Sequence, residues 1–149
     1  MAEILFYHLS RSTLEDALPQ LLVKTQERGW RAVLQGVTLE RIEQLDEHLW
    51  TWREESFLPH ARAGGAHDRE QPLILTVADD NPNDASVRFF VEGAVPEGDL
   101  AGYQRCVVMF DGEDEAQLSA ARAAWRALKD DHDVTYWQQT PARRWERKA

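Results

Sequence analysis

Short, nearly unbroken apolar runs separated by amphipathic stretches constrain this chain more than any other feature. The first run, Ile4-Leu5-Phe6-Tyr7-His8-Leu9, has strand length and suits a strand covered on both faces. After polar Ser10-Arg11-Ser12, the residues Leu18, Leu21, Leu22 and Thr25 follow at helical spacing and end in Arg28-Gly29. Pro19 is tolerated in a first helical turn and not deep in a helix, which places the helix cap near Asp16. A second strand, roughly Arg31 to Gly36, leads to Thr38 as N-cap of a helix with Leu39, Ile42, Leu45, Leu49 and Trp50 on one side.

An irregular stretch from Thr51 to Gln71 contains Pro59, Gly64 and Gly65 and is too long for a simple connection. Three strands are expected next, over Pro72–Val77, Ser86–Val91 and Tyr103–Phe110, joined by turn-forming Asp79 to Asp84 and Pro96 to Asp99. The last helix is expected from about Glu113 to Lys129, with Leu118, Ala121, Trp125 and Leu128 inward. Its acidic first turn and its terminal lysine complement the helix dipole. A short strand, Val134 to Gln138, precedes a polar, basic tail over about 139–149. Alternating strands and helices in 149 residues predict one α/β domain, residues 1–149, with a mostly parallel sheet flanked by helices.

Chemistry is less visible. The turn after the first strand has no glycine to approach a pyrophosphate, and no Walker-type Gly-Lys-Ser/Thr occurs. His8, His48, His60, His67 and His132 share no metal-ligand spacing. The single Cys106 excludes an internal disulfide and, lying in an apolar run, reads as a buried inert thiol. Asp111-Gly112-Glu113-Asp114-Glu115 ends a strand where carboxylates hold Mg²⁺ in some α/β enzymes. A small metal-dependent enzyme using Asp111 and its neighbours is therefore the alternative function, but a turn followed by helix-dipole capping explains the same residues more simply. No Ser-His-Asp or Cys-His signature is present, so a non-catalytic protein without cofactor is expected. The absence of a membrane-length apolar run and of a signal-peptide pattern adds the expectation of a soluble, cytoplasmic protein.

Aromatic residues and charge carry more information. Six tryptophans are present, several in polar surroundings, including Trp50, Trp52, Trp137 and Trp145. The formal net charge of −9 argues against direct nucleic-acid binding. It is also uneven: residues 1–121 hold 10 basic and 22 acidic residues, a net of −12, whereas residues 122–149 hold 7 basic and 4 acidic, a net of +3. Arg122, Arg126 and Lys129 step along one face of the last helix beside Trp125. Such a stripe suits an acidic, aromatic-ended peptide or a single nucleic-acid strand, and equally a solvated helix face.

In combination and in order, several segments resemble the chi subunit of bacterial DNA polymerase III holoenzyme, an accessory of the clamp loader. They are Phe6-Tyr7-His8-Leu9, Leu45-Asp46-Glu47-His48-Leu49-Trp50, Glu55-Ser56-Phe57-Leu58-Pro59-His60, Val107-Val108-Met109-Phe110-Asp111-Gly112, Val134-Thr135-Tyr136-Trp137-Gln138-Gln139 and Arg144-Trp145-Glu146. The resemblance covers essentially the whole chain, and it implies a topology like that of nucleotide-binding domains without a phosphate-binding loop. It implies contact with the psi subunit through Trp50, Phe57, Leu58 and Pro59, a surface for which a helicase is a competing partner. It further implies docking of the acidic C-terminal tail of single-stranded-DNA-binding protein. Arg122 matches the position that pairs with the tail's terminal carboxylate, Trp125 an aromatic pocket position, and Arg126 a basic neighbour. Lys129 extends the basic stripe. At Asp111, where relatives can carry an apolar pocket residue, an inward-turned carboxylate would repel an acidic peptide. DNA is met only indirectly on this reading.

Overall fold

The computed structural model describes residues 3–51, 59–100 and 102–149. Within them β1 (Glu3–Leu9), β2 (Ala32–Gln35), β3 (Ala61–Arg62), β4 (Leu73–Thr76), β5 (Val87–Val91), β6 (Arg105–Asp111), β7 (Asp133–Gln139) and β8 (Trp145–Arg147) form one sheet in the order β3-β4-β2-β5-β6-β1-β7-β8. Every neighbouring pair is parallel except β7 and β8. Helices α1 (Leu14–Glu27) and α2 (Leu39–Thr51) pack on one face with Leu18, Leu22, Ile42, Leu45 and Leu49. Helix α3 (Glu115–Leu128) covers the other face with Ala121 and Ala124 against Ile4, Phe6, Val108 and Phe110. Two-sided cover explains why β4 and β5 are buried at every position, their polar Thr76 and Arg88 included. The expected α/β fold with a mostly parallel sheet is present.

Helix α1 starts earlier than Pro19 implied. Thr13 caps it, its side-chain oxygen accepting from the Asp16 N–H at 3.3 Å, so Pro19 lies well inside the helix. The proline has no N–H to give to the carbonyl of Glu15, four residues back. His48 of α2 supplies the missing partner, its Nε2 lying 2.8 Å from that carbonyl oxygen. A tertiary contact thus replaces the lost helical bond. Thr38 caps α2 as expected, accepting from the Arg41 N–H at 3.3 Å. Leu39 and Trp50, however, are 58% and 48% exposed rather than part of the buried stripe. Between Thr51 and Gln71, where an irregular stretch was expected, lie β3 and a 3₁₀ turn over Asp68–Glu70. The basic tail is also more than a tail, since β8 folds back on β7 with Trp145 opposite Gln139. Among the described residues no helix is long and apolar enough to cross a membrane.

Candidate functional site

The chain leaves β1 for α1 on one face of the sheet and leaves the adjacent β6 for α3 on the other. That divergence opens a crevice of about 530 Å³ at the carboxyl ends of the two strands, the place where open α/β sheets bind ligands. A phosphate there would need backbone N–H groups from the β1 exit loop. In this chain the N–H groups of Ser10, Arg11 and Ser12 all point at the side-chain oxygen of Gln139, at 3.4, 3.1 and 3.1 Å. The Gln139 amide also donates to the Ser12 hydroxyl at 3.0 Å. The anion-binding part of the crevice is therefore filled by a buried carboxamide.

On the α3 side, Asp114 caps the helix by accepting from the Gln117 N–H at 3.0 Å. The Asp111 carboxylate accepts from the Glu113 N–H at 2.9 Å, closing the turn. These acidic side chains thus serve the turn and cap that the simpler reading expected. Among the described residues no group of three or more His, Cys, Asp or Glu is placed to hold a metal ion. The Cys106 thiol is buried, and burial pushes its pKa up to about 12, well away from nucleophilic use.

Ala121 and Ala124 face the sheet, so Arg122 and Arg126, one turn apart, face outward. Together with Glu115, Leu118 and Ser119 they line an open depression of about 440 Å³. Neither arginine has a carboxylate within ion-pair distance among the described residues. Trp125 is half-buried beneath them, edge-on to Phe6 and Tyr136 with ring centroids 5.7 and 5.8 Å away. Lys129 is exposed at the C-cap, beyond the residues lining the depression. Asp111 lines the switch-point crevice and not this depression.

Beneath the helix lies a pair that the sequence did not single out. His8 Nδ1 and the Tyr136 hydroxyl are hydrogen-bonded at 2.6 Å, and His8 also packs on Phe110 at 5.1 Å between centroids. The imidazole sits so close over Gly112 that a Cβ there would fall 1.7 Å from His8 Nε2. Burial lowers the His8 pKa below 6.5, the positive charge of Arg122 lowers it further, and Asp111 opposes the shift. Burial raises the Tyr136 pKa, against the pull of Arg122. Arg122 is thus electrically coupled to a neutral His8–Tyr136 pair. The signal for this pair was the strand alternation that puts Phe6 and His8 on the α3 face, but its partner on β7 depends on the register.

Of the residues expected at the psi-facing surface, Trp50 and Pro59 are described, and they lie towards the β3 edge of the sheet. Trp50 ends α2 with its ring 4.1 Å from that of His60, centroid to centroid. His60 is buried and lies 3.1 Å from the Asp46 carboxylate. Pro59 is half-buried, and its carbonyl accepts from the Gln26 amide at 2.9 Å. Phe57, Leu58 and Trp52 lie outside the described residues.

The sequence of this chain has relatives among known proteins. A probable DNA polymerase III subunit chi of Rickettsia prowazekii (strain Madrid E) is 29% identical over 87 residues, covering 58% of this chain. The match spans about half of that relative, 53% of its length. The family described as DNA polymerase III chi subunit, HolC, matches residues 1–135, most of the 149. The chain belongs to the DNA polymerase III chi subunit family.

Proposed function

We propose that the chain is a non-catalytic replication adaptor that tethers the clamp loader to single-stranded DNA already covered by protein. One observation carries this reading: Arg122 and Arg126 stand one turn apart at an open depression, with no carboxylate within ion-pair distance of either among the described residues. The acidic C-terminal tail of single-stranded-DNA-binding protein, ending in phenylalanine and a free carboxylate, complements it. The planar guanidinium of Arg122 receives the terminal carboxylate in a two-point contact, Leu118 and the accessible part of Trp125 receive the phenyl ring, and Arg126 and Lys129 attract the acidic residues before it. Asp111, held in its own turn and facing the crevice, stays out of the tail's way. Glu115 on the rim disfavours acidic residues at one end and so sets the tail's direction.

Isothermal titration with a peptide copying that tail tests the proposal. Micromolar-range binding that weakens with salt is expected, with Arg122→Ala reducing affinity by roughly tenfold or more. An Arg122→Ala variant that binds as well as the unaltered chain overturns it. Contact with the psi subunit falls to Trp50, Phe57, Leu58 and Pro59. The exposed indole of Trp50 supports this, since large aromatics anchor interfaces. A helicase using the same surface would exclude psi. Trp50→Ala is expected to abolish co-purification of psi while leaving tail-peptide affinity intact, and loss of both would signal unfolding instead. Bare single-stranded DNA is expected to show weak or no retention in gel shift, because the body of the chain carries net −12 over residues 1–121.

A further inference from the structure

A second cationic and aromatic site lies on the opposite face of the sheet, in a groove between α1 and the β7–β8 hairpin. Its volume is about 230 Å³. Tyr7 lies in it, with Trp145 edge-on at 4.6 Å and Trp137 beside it at 6.4 Å between centroids. Both indoles are half-buried. At the far end the guanidinium carbons of Arg28 and Arg105 lie 5.2 and 5.4 Å from the ring centre of Trp30.

Charge decides what such a groove takes. Its lining includes Lys24, Arg28 and Arg105 and no carboxylate, in a chain of net −9. Glu3 pairs with Arg105 at 2.8 Å, but Lys24 and Arg28 have no carboxylate within ion-pair distance among the described residues. Lys24 and Arg28, four residues apart, stand on one side of α1 and form an exposed positive edge beside the aromatic walls.

We propose that this groove docks an acidic peptide segment presenting one aromatic side chain. The ring enters beside Tyr7 and Trp145, and carboxylates flanking it meet Lys24 and Arg28. A nucleic-acid strand fits less well, because base stacking needs open ring faces. Here Trp30 is already engaged by two guanidinium groups and Tyr7 by two indoles. The volume suits one side-chain anchor, being below the roughly 300–1,000 Å³ of sites that enclose a whole small ligand. The inference stands independently of the Arg122 reading, since no free C-terminal carboxylate is required.

The test uses the full chain and an end-blocked peptide with a single phenylalanine among aspartates, followed by tryptophan fluorescence and calorimetry. Saturable binding that weakens with salt is expected, about tenfold weaker in the double variant Lys24→Glu, Arg28→Glu and unchanged in Arg122→Ala. Replacing the peptide's phenylalanine by serine should remove most of the affinity. Both altered side chains are exposed, so the melting temperature should hold; Lys24→Gln with Arg28→Gln gives the same reading if charge reversal perturbs the fold. No binding at low salt, indifference to Lys24 and Arg28, indifference to the phenylalanine, or loss in Arg122→Ala each overturns the proposal. Tighter binding of an oligothymidine through the same two residues also overturns it, in favour of a nucleic-acid strand.

Discussion

Gly112 shows how one residue holds a site together. Its neighbour Asp111 suggests an ordinary turn glycine, and the turn is there, with the Asp114 N–H donating to the Asp111 carbonyl at 3.2 Å. The stricter requirement comes from His8, whose ring occupies the space of any side chain at 112. Gly112→Ala must displace the imidazole and break its 2.6 Å bond to Tyr136. A loss of roughly 1–3 kcal/mol in stability is expected from such overpacking, read from the denaturant midpoint. Tail-peptide affinity should fall with it, because the floor beneath Arg122 shifts. Sequence shows a glycine after an aspartate; only the pairing of Leu9 with Asp111 reveals what that glycine faces. Arg88 is a similar case. It sits in an apolar strand run yet is 2% exposed, with its guanidinium donating to the Gln35 side chain, the carbonyls of Ala78 and Asp80, and the Tyr103 hydroxyl. Those acceptors come from separated segments, so spacing alone could not announce them.

At the scale of elements, the candidate site is a meeting of β1, β6, β7 and α3. His8, Asp111, Tyr136 and Arg122 come one from each, and the charges of Arg122 and Asp111 act in opposite directions on His8. His8 has its pKa below 6.5 in the fold, so the folded state prefers the neutral ring. Its contribution to stability is complete above pH 6.5 and declines as pH falls below that value toward the lowered pKa. An anionic tail seated on Arg122 offsets one of the causes of that lowering. Peptide binding should therefore be accompanied by proton uptake at His8, and affinity should rise as pH drops through the window below 6.5. Titrations near pH 6 in two buffers of different ionisation enthalpy would measure the uptake, and His8→Gln should remove it. The elements themselves were largely legible: β1, β2, β4, β5, β6 and β7 follow the apolar runs, and α3 follows its periodicity to within two residues. The start of α1 was not, because the rule that keeps proline near a helix start gives way when His48 satisfies the carbonyl that proline leaves open.

The molecule as a whole closes through its C-terminal hairpin. Lys148 and Ala149 donate to the Tyr136 carbonyl, while β8 covers the edge of β7. Deleting residues 140–149 would expose β7 as an unpaired edge and strip Trp145 from Tyr7. A lower melting temperature and concentration-dependent self-association in sedimentation are expected, since a bare edge strand is a template for pairing. The strand in this tail escaped sequence reading because three residues with two charges carry no periodicity. The charge map was legible in outline, with the basic helix face where the depression lies, but its two sides were not: Asp111 belongs to one cavity and Arg122 to another.

The position of β1 also fixes the order in which the molecule can be finished. Its two neighbours are β6 and β7, so β1 has no sheet partner until the chain has been synthesised as far as β6, about a hundred residues later. The loop that follows it waits longer still, because the oxygen that satisfies Ser10, Arg11 and Ser12 belongs to Gln139. Nascent chains stalled before residue 139 should therefore leave that loop open to protease, and synthesis of β7 is the event that seals the loop after β1.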